Sequence, residues 1–222
     1  EVVIVHNGVI ENYAKLRDHL QTLGFVFRTT TDSEVIAHMV CHYWLEQIKL
    51  GADPESAGSG LKAIEQAVTR FKGTYGIAAI FRDIPDTVIA ARVGSPLVVG
   101  VGEGEYFLAS DASPLLGYTD EVVYLSDNEI AVLHPGSLEL HHRESGRREP
   151  SIHTIDQVAS DIELGDFEHY MLKEIFEQPE AIENCLRGRI DDDSATAKFG
   201  GLNIDPQELR QIDRIVLTAC GT

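Results

Sequence analysis

The chain has 222 residues, of which 43% are apolar, so it can form one large domain or parts of two. Its 36 acidic and 18 basic residues give a net charge of −18, which opposes binding to an anionic membrane. The sequence also has no basic stripe of the kind that a nucleic-acid partner requires. Three widely spaced cysteines form no disulfide or zinc pattern, and no run of about 18 apolar residues occurs. We therefore expect a cytoplasmic protein without a transmembrane helix or a bound metal.

The first predicted elements are a strand and a helix. The apolar run Val2–Val5 predicts a buried strand, and His6-Asn7-Gly8 predicts the turn that ends it. Residues 9–23 carry apolar side chains at helical spacing, and Gly24 predicts the end of that helix. Phe25–Phe27 predicts a second, short strand.

Two further helices are predicted before the middle of the chain. Thr31 followed by Glu34 is the pattern of a capping box, in which each side chain accepts a hydrogen bond from the other residue's backbone N–H, and it predicts a helix over 33–50. Residues 52–60 are rich in Gly, Ala and Ser and predict a loop. Residues 61–71 again repeat apolar side chains at helical spacing.

From Gly73 the pattern changes to short strands. Turn residues separate six predicted strands: Tyr75–Phe81, Thr87–Arg92, Leu97–Val101, Tyr106–Ser110, Val122–Leu125 and Glu129–Leu133. One turn is predicted at Ile84-Pro85-Asp86. Gly100–Gly104 predicts a hairpin, because Glu105 breaks the glycine pattern of a dinucleotide-binding loop. Helices followed by an antiparallel meander predict a layered α/β domain.

The last part of the chain predicts a linker and a new set of helices. Residues 141–166 are charged and irregular. Three helices are predicted, over 167–177, from Pro179 onward, and over Pro206–Gln211. Ile212–Ala219 predicts a strand that leads Cys220-Gly221-Thr222 into a turn, as at the start of a parallel α/β domain.

Asn7 and Gly8 are candidate catalytic residues. An Asn side chain offers an amide donor, and Gly lets its backbone N–H face a ligand without a Cβ in the way. Two adjacent donors can hold the negative oxygen of a tetrahedral intermediate, and losing one donor from such an oxyanion hole raises the barrier by about 3 kcal/mol. The alternative is an ordinary Asn-Gly turn.

Asp32 and Thr222 are candidate binding residues. The carboxylate of Asp32 can pair with a substrate ammonium group, although an acid in the first turn of a helix also favours the helix dipole. Thr222 follows a predicted parallel strand, where ligands such as a sugar or phosphate oxygen bind. His38, Cys41 and His42 have a spacing that can bind a metal, but no further ligand completes a pattern, so we predict partial burial against the core.

Several stretches, taken in order, resemble one group of enzymes. Two of them resemble the N-terminal-nucleophile glutaminase domain of glutamine amidotransferases: HNGVIENYAKLRDHLQTLGFVFRTTTDSEVIAHMV and ARVGSPLVVGVGEGEYFLASD. HYMLKEIFEQPEAI, LRGRI and IVLTACGT are similar to the junction into the sugar isomerase domain of glutamine–fructose-6-phosphate aminotransferases. This order distinguishes the chain from phosphoribosylpyrophosphate amidotransferase and asparagine synthetase, which share only the glutaminase-type motifs.

The resemblance implies an α/β fold with α+β layers. It consists of a partial N-terminal-nucleophile hydrolase αββα sandwich, followed by the beginning of a sugar isomerase α/β domain. The implied organisation is a glutaminase (type 2 amidotransferase) domain over 1–150 whose N-terminal part is missing, a linker over 151–166, and the start of the sugar isomerase (SIS) domain over 167–222.

The resemblance also implies an activity. In the family, an N-terminal cysteine attacks glutamine with its own α-amino group as the base, and the ammonia converts fructose 6-phosphate into glucosamine 6-phosphate. Asn7 and Gly8 match the oxyanion hole, Asp32 matches the acid that binds the α-amino group of glutamine, and Thr222 matches a sugar-phosphate contact. No cofactor is implied, and the full-length protein is expected to be a homodimer. The nucleophilic cysteine is not in this chain, so we expect the chain alone to be inactive.

Two other functions stay open. One is a non-catalytic, sugar-phosphate-binding regulatory protein with a degenerate amidotransferase fold. The other is an amidotransferase with a different acceptor, which residues 167–222 disfavour.

Overall fold

The structure is a computed structural model that describes residues 2–155, 164–186, 190–191, 196–197, 206–214 and 216. The chain divides into two compact units, Glu1–Ile162 and Glu163–Thr222. None of the helices described is long and apolar enough to cross a membrane.

The first unit begins with a strand and three helices: β1 (Val2–Ile10), α1 (Tyr13–Thr22), α2 (Asp32–Lys49) and α3 (Ala57–Val68). The turn predicted at His6-Asn7-Gly8 is wrong, because these residues continue β1. They remain in the strand because the neighbouring strand pairs with all of it, from Phe81 opposite Val2 to Gly73 opposite Ile10.

Three local predictions before residue 60 also differ from the structure. The helix predicted over 9–23 begins only at Tyr13, because Val9 and Ile10 continue β1. The helix α3 begins at Ala57 rather than at 61, because the Ser56 hydroxyl accepts the Gly58 N–H at 3.2 Å and caps it. Phe25 and Phe27 do not form a strand. Their rings instead pack against the His38 ring, with centroids 5.1 and 4.7 Å away.

Nine further strands lie in the described part of the first unit: β2 (Gly73–Phe81), β3 (Ile84–Val93), β4 (Val98–Val101), β5 (Tyr106–Ala109), β6 (Glu121–Tyr124), β7 (Glu129–His134), β8 (Ser137–His142), β9 (Gly146–Arg148) and β10 (His153–Thr154). All six predicted strands are therefore present. The turn predicted at Ile84–Asp86 is wrong, since the turn lies at Arg82-Asp83 and β3 begins at Ile84.

The strands β8, β9 and β10 were not predicted, and they include residues 141–142, 146–148 and 153–154 of the stretch predicted to be irregular. The sequences of β9 and β10 are polar because both strands are exposed and lie at sheet edges in the described structure. Pairing of β10 with β6 shows that the first unit extends beyond residue 150. The predicted domain boundaries at 150 and 166 stay predictions.

The first unit is layered. One antiparallel sheet has the order β1-β2-β3-β7-β8-β9, and the other has the order β10-β6-β4-β5. One core packs the helices against the first sheet, through buried residues such as Ile10, Ile36, Ile64, Ile77 and Ile89. A second core lies between the two sheets, through residues such as Ala90, Val99, Leu125, Ala131 and Leu133. Helices, sheet and sheet are three layers of the predicted αββα sandwich, which confirms the fold class.

The second unit contains α4 (Tyr170–Leu186), the short hairpin β11 (Ile190–Asp191) and β12 (Thr196–Ala197), and α5 (Pro206–Arg210). The helix break predicted before Pro179 is wrong, since α4 continues through that residue. Helix α5 agrees with the predicted Pro206–Gln211. Residues 212–214 and 216 are not in a strand, and the rest of the predicted strand 212–219 lies outside the described residues.

Candidate functional site

Asn7 and Gly8 lie within β1, which pairs in the described structure with β2 alone. Side chains along a strand point alternately to its two faces, and burial along β1 follows that alternation. Asn7 therefore shares the exposed face of β1 with Val5 and Val9, whereas Gly8 belongs to the opposite face with Ile10.

Gly8 has a backbone conformation that other residues rarely adopt. Its φ is +133°, and an added Cβ would lie 2.2 Å from the Thr74 carbonyl oxygen and 2.9 Å from Ser95 Oγ. The close approach of β2 therefore requires a glycine at this position.

Asp32, the first residue of α2, lies against the same strand. Its Oδ2 atom accepts a hydrogen bond from the Ile10 N–H at 2.9 Å, and its Oδ1 atom lies 3.9 Å from His6 Nδ1. The next N–H along the chain, that of Glu11, donates instead to the Lys72 carbonyl oxygen at 2.8 Å. The structure thus brings Asp32 beside Gly8, which lies between the two residues that contact its carboxylate.

His6 is a residue of this cluster that the sequence reasoning missed. Its side chain is 2% exposed, and its Nδ1 atom lies 3.1 Å from Ser33 Oγ. Burial lowers the pKa of His6 below its usual value, and the charge of Asp32 opposes that shift. The alternation from Ile4 to Ile10 would have placed His6 on the helix-facing side, had the turn at 6–8 not been assumed.

The first turn of α2 is held by a variant of the predicted capping box. Thr31 Oγ1 accepts the Glu34 N–H at 3.3 Å, as predicted. The Glu34 carboxylate, however, accepts the backbone N–H groups of Arg28 and Thr29, both at 2.7 Å, rather than that of Thr31. Its hydrogen bonds with the Thr29 hydroxyl and with these N–H groups lower the pKa of Glu34 to about 2. Glu34 thus fixes the loop that leads into Asp32.

The remaining candidate residues lie elsewhere. His38, Cys41 and His42 are half-buried, as predicted, and the His38 ring packs against Phe25 and Phe27. Among the residues that the structure describes, no group of three or more side chains could hold a metal ion. The predicted hairpin at Gly100–Gly104 is confirmed, since β4 pairs with β5. Thr222 lies outside the described residues.

An apolar groove of about 300 Å³ lies on the Asn7 side of β1. Its walls include Val3 and Val5 from β1, Ile80 from β2, and Tyr106 and Leu108 from β5. The side chains of Val3, Val5 and Val9 are 61%, 69% and 61% exposed. The four-stranded sheet therefore covers β3 and β7 but leaves the outer face of β1 open.

Sequence comparisons match the chain to one family. A profile of the glutamine amidotransferase domain matches residues 1–117, more than half of the chain. Curated relatives named glutamine–fructose-6-phosphate aminotransferase (isomerizing) align with all of this chain: those of Chlorobaculum tepidum at 40% identity, Bacteroides thetaiotaomicron at 39% and Bordetella pertussis at 41%. The chain spans only 34–35% of the length of these relatives.

Solved structures agree with the fold. Glutamine phosphoribosylpyrophosphate amidotransferase from B. subtilis, complexed with ADP and GMP, superposes with a TM-score of 0.53 over 66% of this chain and 30% of that one, at 20% identity. A structure described as the allosteric regulatory enzyme of purine biosynthesis superposes with a TM-score of 0.50 at 21% identity, over 65% of this chain and 29% of that one. At these identities the likeness concerns the fold alone.

Proposed function

Because the chain belongs to the glutamine amidotransferase domain family, we propose that it forms part of the glutamine-hydrolysing site of a glutamine–fructose-6-phosphate aminotransferase. The whole enzyme hydrolyses glutamine to glutamate and transfers the ammonia to fructose 6-phosphate, giving glucosamine 6-phosphate. The observation that carries the proposal is the placement of Asp32 on β1 beside Gly8. The similarity of the whole chain to the three aminotransferases supports the choice of acceptor.

In this proposal Asn7 and Gly8 form the oxyanion hole. The Asn7 side chain supplies one donor from the exposed face of β1. Gly8 and Ile10 are two residues apart, so their N–H groups point to the same edge of β1. The Ile10 N–H donates to Asp32 rather than to β2. We therefore assign the second donor to the Gly8 N–H, at the edge of β1 that β2 leaves unpaired. Two donors aimed at one developing oxyanion account for a large part of the barrier reduction in acyl transfer.

Asp32 binds the α-ammonium group of glutamine. An ionised carboxylate has about four acceptor positions, and the Ile10 N–H occupies only one of them. The remaining positions are available to a positively charged ligand. A charge-assisted hydrogen bond of this kind is stronger than a neutral one, so it selects an amino acid over a simple amide.

The nucleophile comes from a segment outside the 222 residues, a cysteine whose α-amino group acts as the base. The open apolar face of β1 supports this assignment, because a further apolar strand laid over Val3, Val5 and Val9 would bury them. Burying one valine side chain contributes about 1.5 kcal/mol or more. The purified chain therefore releases no ammonia from glutamine.

The remaining features are proposed for the full-length protein. Residues 1–150 belong to the glutaminase domain, 151–166 form a linker, and 167–222 begin the sugar isomerase domain, in which Thr222 contacts the sugar phosphate. The protein is a cytoplasmic homodimer. It binds neither nucleic acid nor a membrane, in agreement with its charge of −18.

The test uses the full-length protein and measures ammonia release from glutamine and formation of glucosamine 6-phosphate. Asp32→Asn is expected to lower kcat/KM for glutamine by about tenfold to a hundredfold, the loss of one charge-assisted hydrogen bond. Asp18→Asn, which neutralises an exposed carboxylate on α1, is the matched control and leaves kcat/KM within about twofold. A wild-type protein that releases no ammonia would falsify the proposal, and ammonia release without glucosamine 6-phosphate would point to another acceptor.

A further inference from the structure

The His6 side chain joins β1 to the first turn of α2. It is 2% exposed, and its Nδ1 atom lies 3.1 Å from Ser33 Oγ and 3.9 Å from Asp32 Oδ1. Its other nitrogen, Nε2, is buried and has no hydrogen-bond partner among the described residues. Burying a polar nitrogen without a partner is costly, so an apolar side chain would fill this space more favourably. The cost indicates that the contact at Nδ1 has a purpose beyond packing.

The contact at Nδ1 lies next to the Asp32 carboxylate. A neutral ring with its proton on Nδ1 donates to Ser33 Oγ and turns the positive end of its dipole towards Asp32 Oδ1. The Ile10 N–H holds the other oxygen, Oδ2, at 2.9 Å. Both carboxylate oxygens thus have a neighbour on β1, on either side of Gly8: a hydrogen-bond donor at Oδ2 and the His6 ring at Oδ1. Because burial lowers the pKa of His6, the ring stays neutral and does not neutralise Asp32.

We propose that His6 is a positioning residue, which locks the first turn of α2 onto β1 and so places the Asp32 carboxylate where the α-ammonium group of glutamine binds. This role rests on the glutaminase function proposed above. His6 does not contact the substrate in this arrangement, since its ring is enclosed between the strand and the helix. Its contribution passes through Asp32, so its loss weakens the binding of the ammonium group rather than the chemical step.

The variants His6→Asn and His6→Gln distinguish the contribution of Nδ1 from that of Nε2. The amide of Asn reaches about as far as Nδ1, so it keeps a donor for Ser33. The amide of Gln reaches about as far as Nε2 and leaves Ser33 and Asp32 without that partner. Ser33→Ala is a third variant, which keeps the histidine and removes the hydroxyl that it contacts, in case His6→Gln fails to fold.

The readout compares glutamine with 4-carbamoylbutanoate, the same amide without the α-amino group, as substrates of the full-length protein. His6→Gln is expected to raise KM for glutamine about tenfold with little change in kcat, because the ammonium contact acts equally in the ground and transition states. The ratio of kcat/KM between the two substrates falls by the same factor. His6→Asn restores that ratio to near the wild-type value, and Ser33→Ala lowers it.

The possible outcomes separate the two proposals. Equal losses on both substrates in His6→Gln and Ser33→Ala would show that His6 only stabilises the fold, and would overturn its positioning role alone. An unchanged substrate ratio in all three variants would overturn it as well. A wild-type protein that hydrolyses neither substrate would overturn the glutaminase function and, with it, the role of His6.

Discussion

Gly8 is constrained twice, by its backbone conformation and by the close approach of β2. Its φ of +133° lies in the region that side chains disfavour, and the Thr74 carbonyl oxygen occupies the space of a Cβ atom. Gly8 lies in the middle of β1, where an ordinary strand residue is subject to neither constraint. This combination explains why only a glycine fits at this position of β1.

Gly8→Ala is expected to destabilise the chain by at least about 1–3 kcal/mol, since strain at φ and the clash with Thr74 act together. Urea unfolding of the 222-residue chain measures the change. Gly24→Ala is the matched control, because Gly24 has φ +89° but no atom within 4 Å of an added Cβ. Equal losses of unfolding free energy in the two variants would show that the contact with β2 contributes nothing to the effect of Gly8→Ala.

At the scale of elements, the start of α2 determines where Asp32 lies. The Thr31 hydroxyl caps the helix, and Glu34 ties the preceding loop to it through Arg28 and Thr29. The helix in turn packs Val35, Ile36 and Met39 into the core beneath the first sheet. A local hydrogen-bond network and the tertiary packing therefore act on the same turn.

Glu34 predicts a pH dependence of stability. Its pKa is about 2 in the folded chain against an ordinary value of 4.5, so the unfolded chain binds more protons between these pH values. The free energy of unfolding contributed by Glu34 is thus fully present above pH 4.5 and is lost as the pH falls towards 2. Glu34→Gln is expected to lower stability at neutral pH and to reduce the slope within that range.

Urea titrations at a series of pH values measure this slope. Glu46→Gln, at the other end of α2, is the control for removing one negative charge from an acidic chain, because its carboxylate is half-exposed beside Lys49. If Glu34→Gln and Glu46→Gln change the slope equally, the hydrogen bonds to the loop do not explain the acid sensitivity.

At the scale of the whole molecule, the open face of β1 distinguishes this chain from a completed sandwich. The second sheet packs on β3 and β7, but Val3, Val5 and Val9 stay largely exposed. Exposed apolar side chains are unfavourable in water, and the unpaired edge of β1 can pair with another segment. This is the surface on which we propose that the segment with the nucleophile packs.

Val5→Thr keeps the shape of the side chain and adds a hydroxyl on this face. In the 222-residue chain it is expected to change stability by no more than about 0.5 kcal/mol, because Val5 is exposed there. In the full-length protein it is expected to cost about 1–3 kcal/mol, since the hydroxyl is then buried without a partner. Thermal unfolding of both proteins measures the difference.

Val26→Thr is the matched control, at a valine that is 77% exposed in a loop. It should have the same small effect in both proteins. Equal effects of Val5→Thr in the two proteins would contradict a segment that covers β1.

The sequence by itself determined the residue types and most of the elements. Six strands were predictable because apolar alternation and turn residues are local signals, and the start of α2 was predictable because Thr31 and Glu34 are three residues apart. The strands β9 and β10 were missed because short, polar edge strands lack that alternation. The turn assumed at His6-Asn7-Gly8 was wrong because pairing with β2 overrides the local preference of Asn-Gly.

Only the tertiary structure decided which polar groups meet. The hydrogen bond from the Ile10 N–H to Asp32 joins residues 22 positions apart, and the contact of His6 with Ser33 spans 27. Such contacts depend on how α2 packs across the first sheet, and no local pattern records that packing. The sequence therefore predicts that Asn7, Gly8 and Asp32 bind a polar ligand. The packing of a helix on a strand, driven by burial of apolar side chains, is what brings Asp32 next to Gly8.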